Sequence, residues 1–199
     1  MLFSIRKSAA ANLETPQYAV DLLLACHKRI RRFARLASDL TAFPDAPRGD
    51  IAEAARALVR YHRFALPLHE ADEEISLLPR LEALHLSNAI RDELATIAEG
   101  HRRVDAIIDE LIRGWSSLAE APEQMPRLLP VLAPLAAALT RLWEPHLAGE
   151  ETIVFPALAL LPPESERALF NEMRARRAAS LEVPESAAIL GVAASPGAR

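Results

Sequence analysis

His69-Glu-Ala-Asp-Glu73-Glu74-Ile-Ser-Leu-Leu-Pro79 and His146-Leu-Ala-Gly-Glu150-Glu151-Thr-Ile-Val-Phe-Pro156 are two copies of one pattern: His, three residues, Glu-Glu, four residues, Pro. On a helix, positions i and i+4 lie one above the other on the same face. Each copy therefore aims an imidazole and a carboxylate at one place. Two such places, facing each other inside a helical bundle, would make a site for two metal ions.

The rest of the chain reads as that bundle. Thr15-Pro16 supplies a cap and a first-turn proline for a helix from about Pro16 to Leu40. Its inward stripe is Val20, Leu23, Leu24, His27, Ile30 and Ala34, flanked by an arginine-rich face read as solvated. The breaker-dense turn 43–49 ends it. Asp50 with Glu53 reads as a capping box for a second helix, 50–84, bent by Pro67 and Pro79. A third helix, from Ser87 or Asn88 to about Leu118, carries Leu94, Ile97, His101, Val104, Ile108 and Ile112 on its inner stripe. A fourth, 127–160, carries Leu135, Leu139, Leu142, His146, Glu150, Ile153 and Ala157. Pro162-Pro163 closes it, and a short fifth helix, 164–179, follows. The fold class expected is all-α: an up-down-up-down four-helix bundle with a short additional C-terminal helix. The expected layout is a lead-in over 1–15, the bundle over 16–162, and the C-terminal helix with a flexible tail over 163–199.

The halves repeat. His27 precedes His69 by 42 residues and His101 precedes His146 by 45. Two similar hairpins related by a pseudo-two-fold axis would bring one histidine from each of four helices to the centre, with Glu73 and Glu150.

Composition narrows the partners. Six glycines in 199 residues, with Ala, Leu, Arg and Glu abundant, favour helix over strand. A net charge of −4 gives no electrostatic reason to expect nucleic acid. Cys26 is the single cysteine, so neither an intrachain disulfide nor a thiolate cluster can form. The apolar run 128–140 holds two prolines and is too short to span a bilayer, and the first ten residues lack the order of a secretory signal. A cytoplasmic protein without a membrane partner is expected.

Imidazole and carboxylate without thiolate suit iron, manganese or zinc. Two buried glutamates with no basic residue on the inner stripes would be expensive to ionise without a cation. A carboxylate can bridge two cations and offset their repulsion. On this reading Glu73 and Glu150 bridge, His27 and His69 cap one metal, and His101 and His146 cap the other. Four imidazoles and two bridges make eight bonds, so two six-coordinate ions keep open positions where O2, NO or peroxide would bind.

The doubled motif, preceded in each half by a single histidine, resembles the hemerythrin-like, or HHE cation-binding, domain over residues 16–160. That resemblance implies a non-haem di-iron site, with an oxo or hydroxo bridge, held by His27, His69, Glu73, His101, His146 and Glu150. Oxygen-carrying members place two histidines four apart on the third helix, whereas here His101 is followed at i+4 by Asp105 and preceded at i−4 by Ile97. Glu70 or Asp105 is then the candidate for a seventh ligand; Glu70 points about 100° around the helix from His69. A glutamate at that place resembles the hemerythrin-like domain of F-box iron-sensing proteins. Members that repair iron–sulfur clusters often carry paired cysteines in an N-terminal domain, and this chain has none.

The expected function is a metal-binding protein that binds or senses O2, NO or peroxide, or stores iron. The alternatives are a di-iron peroxidase or ferroxidase, and a metal-free helical interaction module. His62 is expected as a partly exposed structural histidine, His85 as solvated, and Cys26 as a buried thiol.

Overall fold

A computed structural model describes residues 17–182. The Thr15-Pro16 cap, the lead-in and nearly all of the C-terminal tail lie outside the described residues. Helix α1 is Ala19–Ala42. The Asp21 carboxylate accepts from the Tyr18 and Gln17 backbone amides and caps its start. Helix α2 runs over 48–82 as one path, starting two residues before the expected Asp50 because Pro47 precedes the first turn. Helix α3 is Asn88–Glu120, with Ser87 Oγ accepting from the Ile90 amide as its cap. Helix α4 runs over 125–160 and helix α5 is Pro163–Glu182. No strand occurs among the described residues.

Three turns widen beyond α geometry, and α4 ends in a tighter 3-10 stretch, Phe155–Leu160. Tyr61–Ala65 and Asp72–Leu77 in α2, and Glu150–Val154 in α4, are π-helical. Each lies just before a proline: Pro67, Pro79 and Pro156. A proline ring collides with the carbonyl four residues back, here that of Arg63, Ile75 or Thr152. Widening the turn relieves the collision. Pro130, Pro134 and Pro145 lie inside the α-helical part of α4 without such a turn, so proline alone does not decide it. Both copies of the repeated motif thus have the same local shape: Glu73 and Glu150 sit in π turns.

Helix α1 packs on α4, α2 on α3, and α3 on α4. The core falls into two apolar clusters. One contains Ile30, Ala34, Leu58, Val104, Trp115, Ala136 and Trp143. The other contains Leu23, Leu77, Leu94, Ile97, Val154, Leu158, Leu169 and Met173. Along each of the four long helices the chain passes from one cluster to the other through a buried polar layer. His27, His69, Glu73, His101 and Glu150 form that layer.

Of the stripe expected on α4, Leu139, Glu150 and Ala157 are buried, while the rest is shifted around the helix. Leu132, Ala136, Leu139, Trp143, Leu147 and Val154 are buried, while Leu135, Leu142 and Ile153 are half-buried. Trp143 fills the centre and displaces the line by one residue, and the wide turn at Glu150 passes the inward position from Ile153 to Val154. On α3, Leu111 is buried and Ile112 half-buried. The helical path 122–160 is long and apolar enough, by length and composition, to cross a membrane. In this fold it is the fourth bundle helix, with Trp143, Leu147, Glu150 and Val154 buried against its neighbours.

Candidate metal centre

The five residues of the polar layer and the half-buried His146 converge. His27, His69, Glu73 and Glu150 form one group of potential ligand atoms within 4.8 Å of one another, and His101, His146 and Glu150 form a second. The histidine rings pair accordingly, His27 with His69 at 5.1 Å between centroids and His101 with His146 at 4.9 Å.

The carboxylates span the two groups. Glu73 Oε1 lies 3.8 Å from His27 Nε2 and 3.6 Å from His69 Nε2, while its Oε2 lies 3.3 Å from His101 Nε2. Glu150 Oε2 lies 3.3 Å from His27 Nε2, and its Oε1 lies 3.0 Å from His146 Nε2. Each glutamate therefore turns one oxygen to each histidine pair.

The same atoms lack other partners. All four Nε2 atoms and all four carboxylate oxygens are buried and make no hydrogen bond of acceptable geometry. Buried polar atoms are normally hydrogen-bonded, because an orphan forfeits its hydration. Eight orphans aimed at one place fit a site that cations complete.

Two further glutamates orient the rings. His27 Nδ1 lies 2.8 Å from Glu151 Oε1, and His101 Nδ1 lies 2.8 Å from Glu74 Oε1. A carboxylate only accepts, so Nδ1 carries the proton and Nε2 faces the centre. The second Glu of each Glu-Glu pair thus serves the single histidine on a neighbouring helix: α2 orients the α3 histidine and α4 orients the α1 histidine. Glu151 is itself held by Arg31, through 2.6 and 3.2 Å contacts from its two terminal nitrogens. Arg31 belongs to the face expected to be merely solvated. Nothing in the spacing of a single helix marks this role, but the doubling of the second Glu in both copies is a signal that could have.

Electrostatics follow from burial and these pairs. Burial opposes a charge on His27, but the Glu150 and Glu73 carboxylates outweigh it and lift the pKa to about 9. His101 reaches about 9 against the same opposition, through Glu73 and then Glu74. Burial takes His69 down to about 4, although Glu73 pulls the other way. Burial also opposes ionisation of Glu73, but the imidazoles around it, His69 first, hold it well below the carboxylate range.

Glu70 belongs to neither group. Its carboxyl faces Asp105 on α3, and burial together with that neighbour lifts its pKa to about 7. His62 is buried rather than partly exposed. Its Nδ1 donates to the Leu58 carbonyl at 2.8 Å, and its ring sits 5.0 Å from Trp115, below the site. Cys26 is buried and His85 is exposed.

The two groups differ in access. The side chains of His27, His69, Glu73 and Glu150 are at most 1% exposed, whereas His146 is 10% exposed. His146 forms part of the wall of a cavity of about 420 Å³ between α3 and α4, with Glu93, Thr96, Glu99 and Arg103. Its ring lies flush on α3 at Gly100, where a Cβ would sit 2.6 Å from His146 Nδ1.

A model of the hemerythrin HHE cation binding domain matches residues 18–158. The chain belongs to this family. The match ends before α5, so this hemerythrin-like domain carries a fifth helix beyond the matched region. The chain is also 28% identical over 157 residues to uncharacterized proteins of Mycobacterium bovis and of two strains of Mycobacterium tuberculosis. The alignment takes in 77% of this chain but only 58% of each relative. No solved structure matches. The family and the buried His/Glu cluster both point to cation binding.

Proposed function

We propose that this hemerythrin-like domain holds two iron ions and uses them to bind or sense O2, NO or peroxide. The observation that carries the reading is the split of each carboxylate between two histidine pairs, with every one of those oxygens otherwise unpartnered. His27 and His69 would hold one ion, His101 and His146 the other, and Glu73 and Glu150 both. When bound, a redox-active pair supplies electrons to a small diatomic or peroxide. The chain's own residues fix the geometry. Glu151 and Glu74 keep Nδ1 protonated and Nε2 directed at the centre, and apolar clusters pack the bundle on both sides of the layer.

The donor set also admits manganese or zinc, but the family and the imidazole–carboxylate balance favour iron. The test is anaerobic reconstitution with Fe(II), followed by visible spectra before and after O2, NO and peroxide. New visible absorption on adding at least one of them, with iron bound, is expected. Iron-loaded protein whose spectrum none of the three changes would overturn the ligand-binding reading.

A further inference from the structure

Helix α5 is tied to the chain beside the site on both α1 and α2, where Glu172 also pairs with Arg80, a donor to the Ser76 carbonyl. Asp72, the residue before Glu73, is fully buried and forms ion pairs with both Arg176 and Arg177 of α5, the latter at 2.5 Å. Arg176 also donates to Ser76 Oγ at 2.9 Å, inside the same π turn. Arg177 reaches Cys26 Sγ at 3.3 Å, and Cys26 is the residue before His27. The two arginines therefore grip the immediate chain neighbours of two members of the first group. Leu169 and Met173 seat the helix by packing in the cluster that holds Leu23, Leu77 and Leu81.

The repeat supplies an internal control. In the second copy of the motif, Gly149 stands where the first has Asp72, and Ile153 stands where it has Ser76. No charged group can be gripped there. Nothing on α5 makes a hydrogen bond or ion pair with the turn Glu150–Val154 among the described residues.

We propose that α5 is a clamp on the first cation position. Arg176 and Arg177, acting through Asp72, Ser76 and Cys26, are positioning residues that hold the Glu73 turn in its bridging geometry. They make the position at His27 and His69 slow to release its ion, while the position at His101 and His146 exchanges freely beside its cavity. The release asymmetry rests on the metal reading above; the hold on the turn does not.

The experiment has two readouts on the same proteins. Mutating the arginines alone would strand a buried carboxylate, so the variant is Asp72→Asn with Arg176→Gln and Arg177→Gln, which removes all three charges together. The control is Glu166→Ala, which cuts a different tie of α5, the 3.0 Å cap on the Ala19 amide. In the metal-free protein, amide hydrogen exchange over 73–77 is expected to speed up about tenfold or more in the triple variant, with 150–154 and the Glu166→Ala protein unchanged. In the iron-loaded protein, release to a chelator is expected in two phases, the slow one accelerated about tenfold in the triple variant and the fast one clearly less, because Glu73 faces both positions while Cys26 adjoins His27 alone. Unchanged exchange over 73–77, equal acceleration of both turns, or equal acceleration of both release phases overturns the clamp. Wild-type protein that takes up no iron sinks the metal reading instead, and the exchange comparison still decides whether α5 holds the turn.

Discussion

The two halves of the polar layer are built from the same motif and end in different surroundings. The half at His27 and His69 is sealed: its side chains have almost no exposure, and α5 lies over the Glu73 turn. The half at His101 and His146 opens on a cavity, and Gly149, just before its π turn, stands where the other copy has a gripped aspartate. The ring-orienting contacts differ too. Glu151 behind His27 is locked by Arg31, whereas Glu74 behind His101 is 41% exposed and has no arginine partner among the described residues. A repeat fixes where the ligands stand, and the elements outside it decide how tightly each pair is held.

The strongest way to break the comparison is to remove what both halves share. Glu150→Ala deletes the carboxylate whose oxygens face His27 and His146. Both positions should weaken by about a hundredfold or more, since a ligand to each ion disappears. Metal content by mass spectrometry should fall well below that of the wild type, and loss at one position alone would argue against bridging.

pH tests both halves at once. The pKa of about 9 at His27 and at His101 means that each ring releases a proton when a cation enters at neutral pH. Apparent affinity should drop about tenfold per proton for each pH unit below 9, up to about a hundredfold when both rings are displaced. Titrations at pH 6, 7 and 8 in weak buffer would show it, together with the protons released. The metal-free fold runs the other way. A histidine raised from 6.5 to about 9 stabilises the fold fully below 6.5 and loses that contribution as pH rises to 9. The melting temperature of metal-free protein should therefore decline across this window while metal affinity climbs.

Orientation of the rings separates the halves more finely. Glu151→Gln keeps an acceptor at His27 but removes its charge and its pair with Arg31. About a tenfold loss of affinity at the first position is expected. Glu74→Gln, at a more exposed carboxylate without an arginine, should cost less at the second. Competition with a chromogenic chelator would rank them, and the reverse order would mean that Arg31 contributes nothing.

The smallest effect is expected at Gly100. An added Cβ would push on His146 at 2.6 and 2.8 Å, so Gly100→Ala displaces that ring alone. A few-fold weakening of the second position is expected, with a slight gain in helix stability of about 0.5–1 kcal/mol. Chelator release should change only in its fast phase, and thermal melting should not fall.

Much of this was legible in the amino-acid order. The doubled His-x3-Glu-Glu-x4-Pro pattern, with His27 and His101 at matched distances, places all six residues that meet in the polar layer. The four long helices follow from their apolar stripes and breakers. What was hidden depends on contacts between elements. The role of Glu74 and Glu151 lies across helix pairs, so no single-helix wheel reveals it. The inward line of α4 slipped because Trp143 outcompetes smaller neighbours for the centre and because a π turn advances the phase at Glu150. Arg176 and Arg177 look like ordinary surface charges on a weakly amphipathic helix until α5 is docked beside Asp72. The fate of Glu70, turned to Asp105 rather than into either group, likewise needed the packing of α2 on α3.

The central claim is that two cations share Glu73 and Glu150. The most direct measurement is the number of iron ions per chain after anaerobic reconstitution with Fe(II) and removal of loosely held metal. The arrangement of the eight unpartnered ligand atoms predicts about two per chain; fewer than one per chain would contradict it.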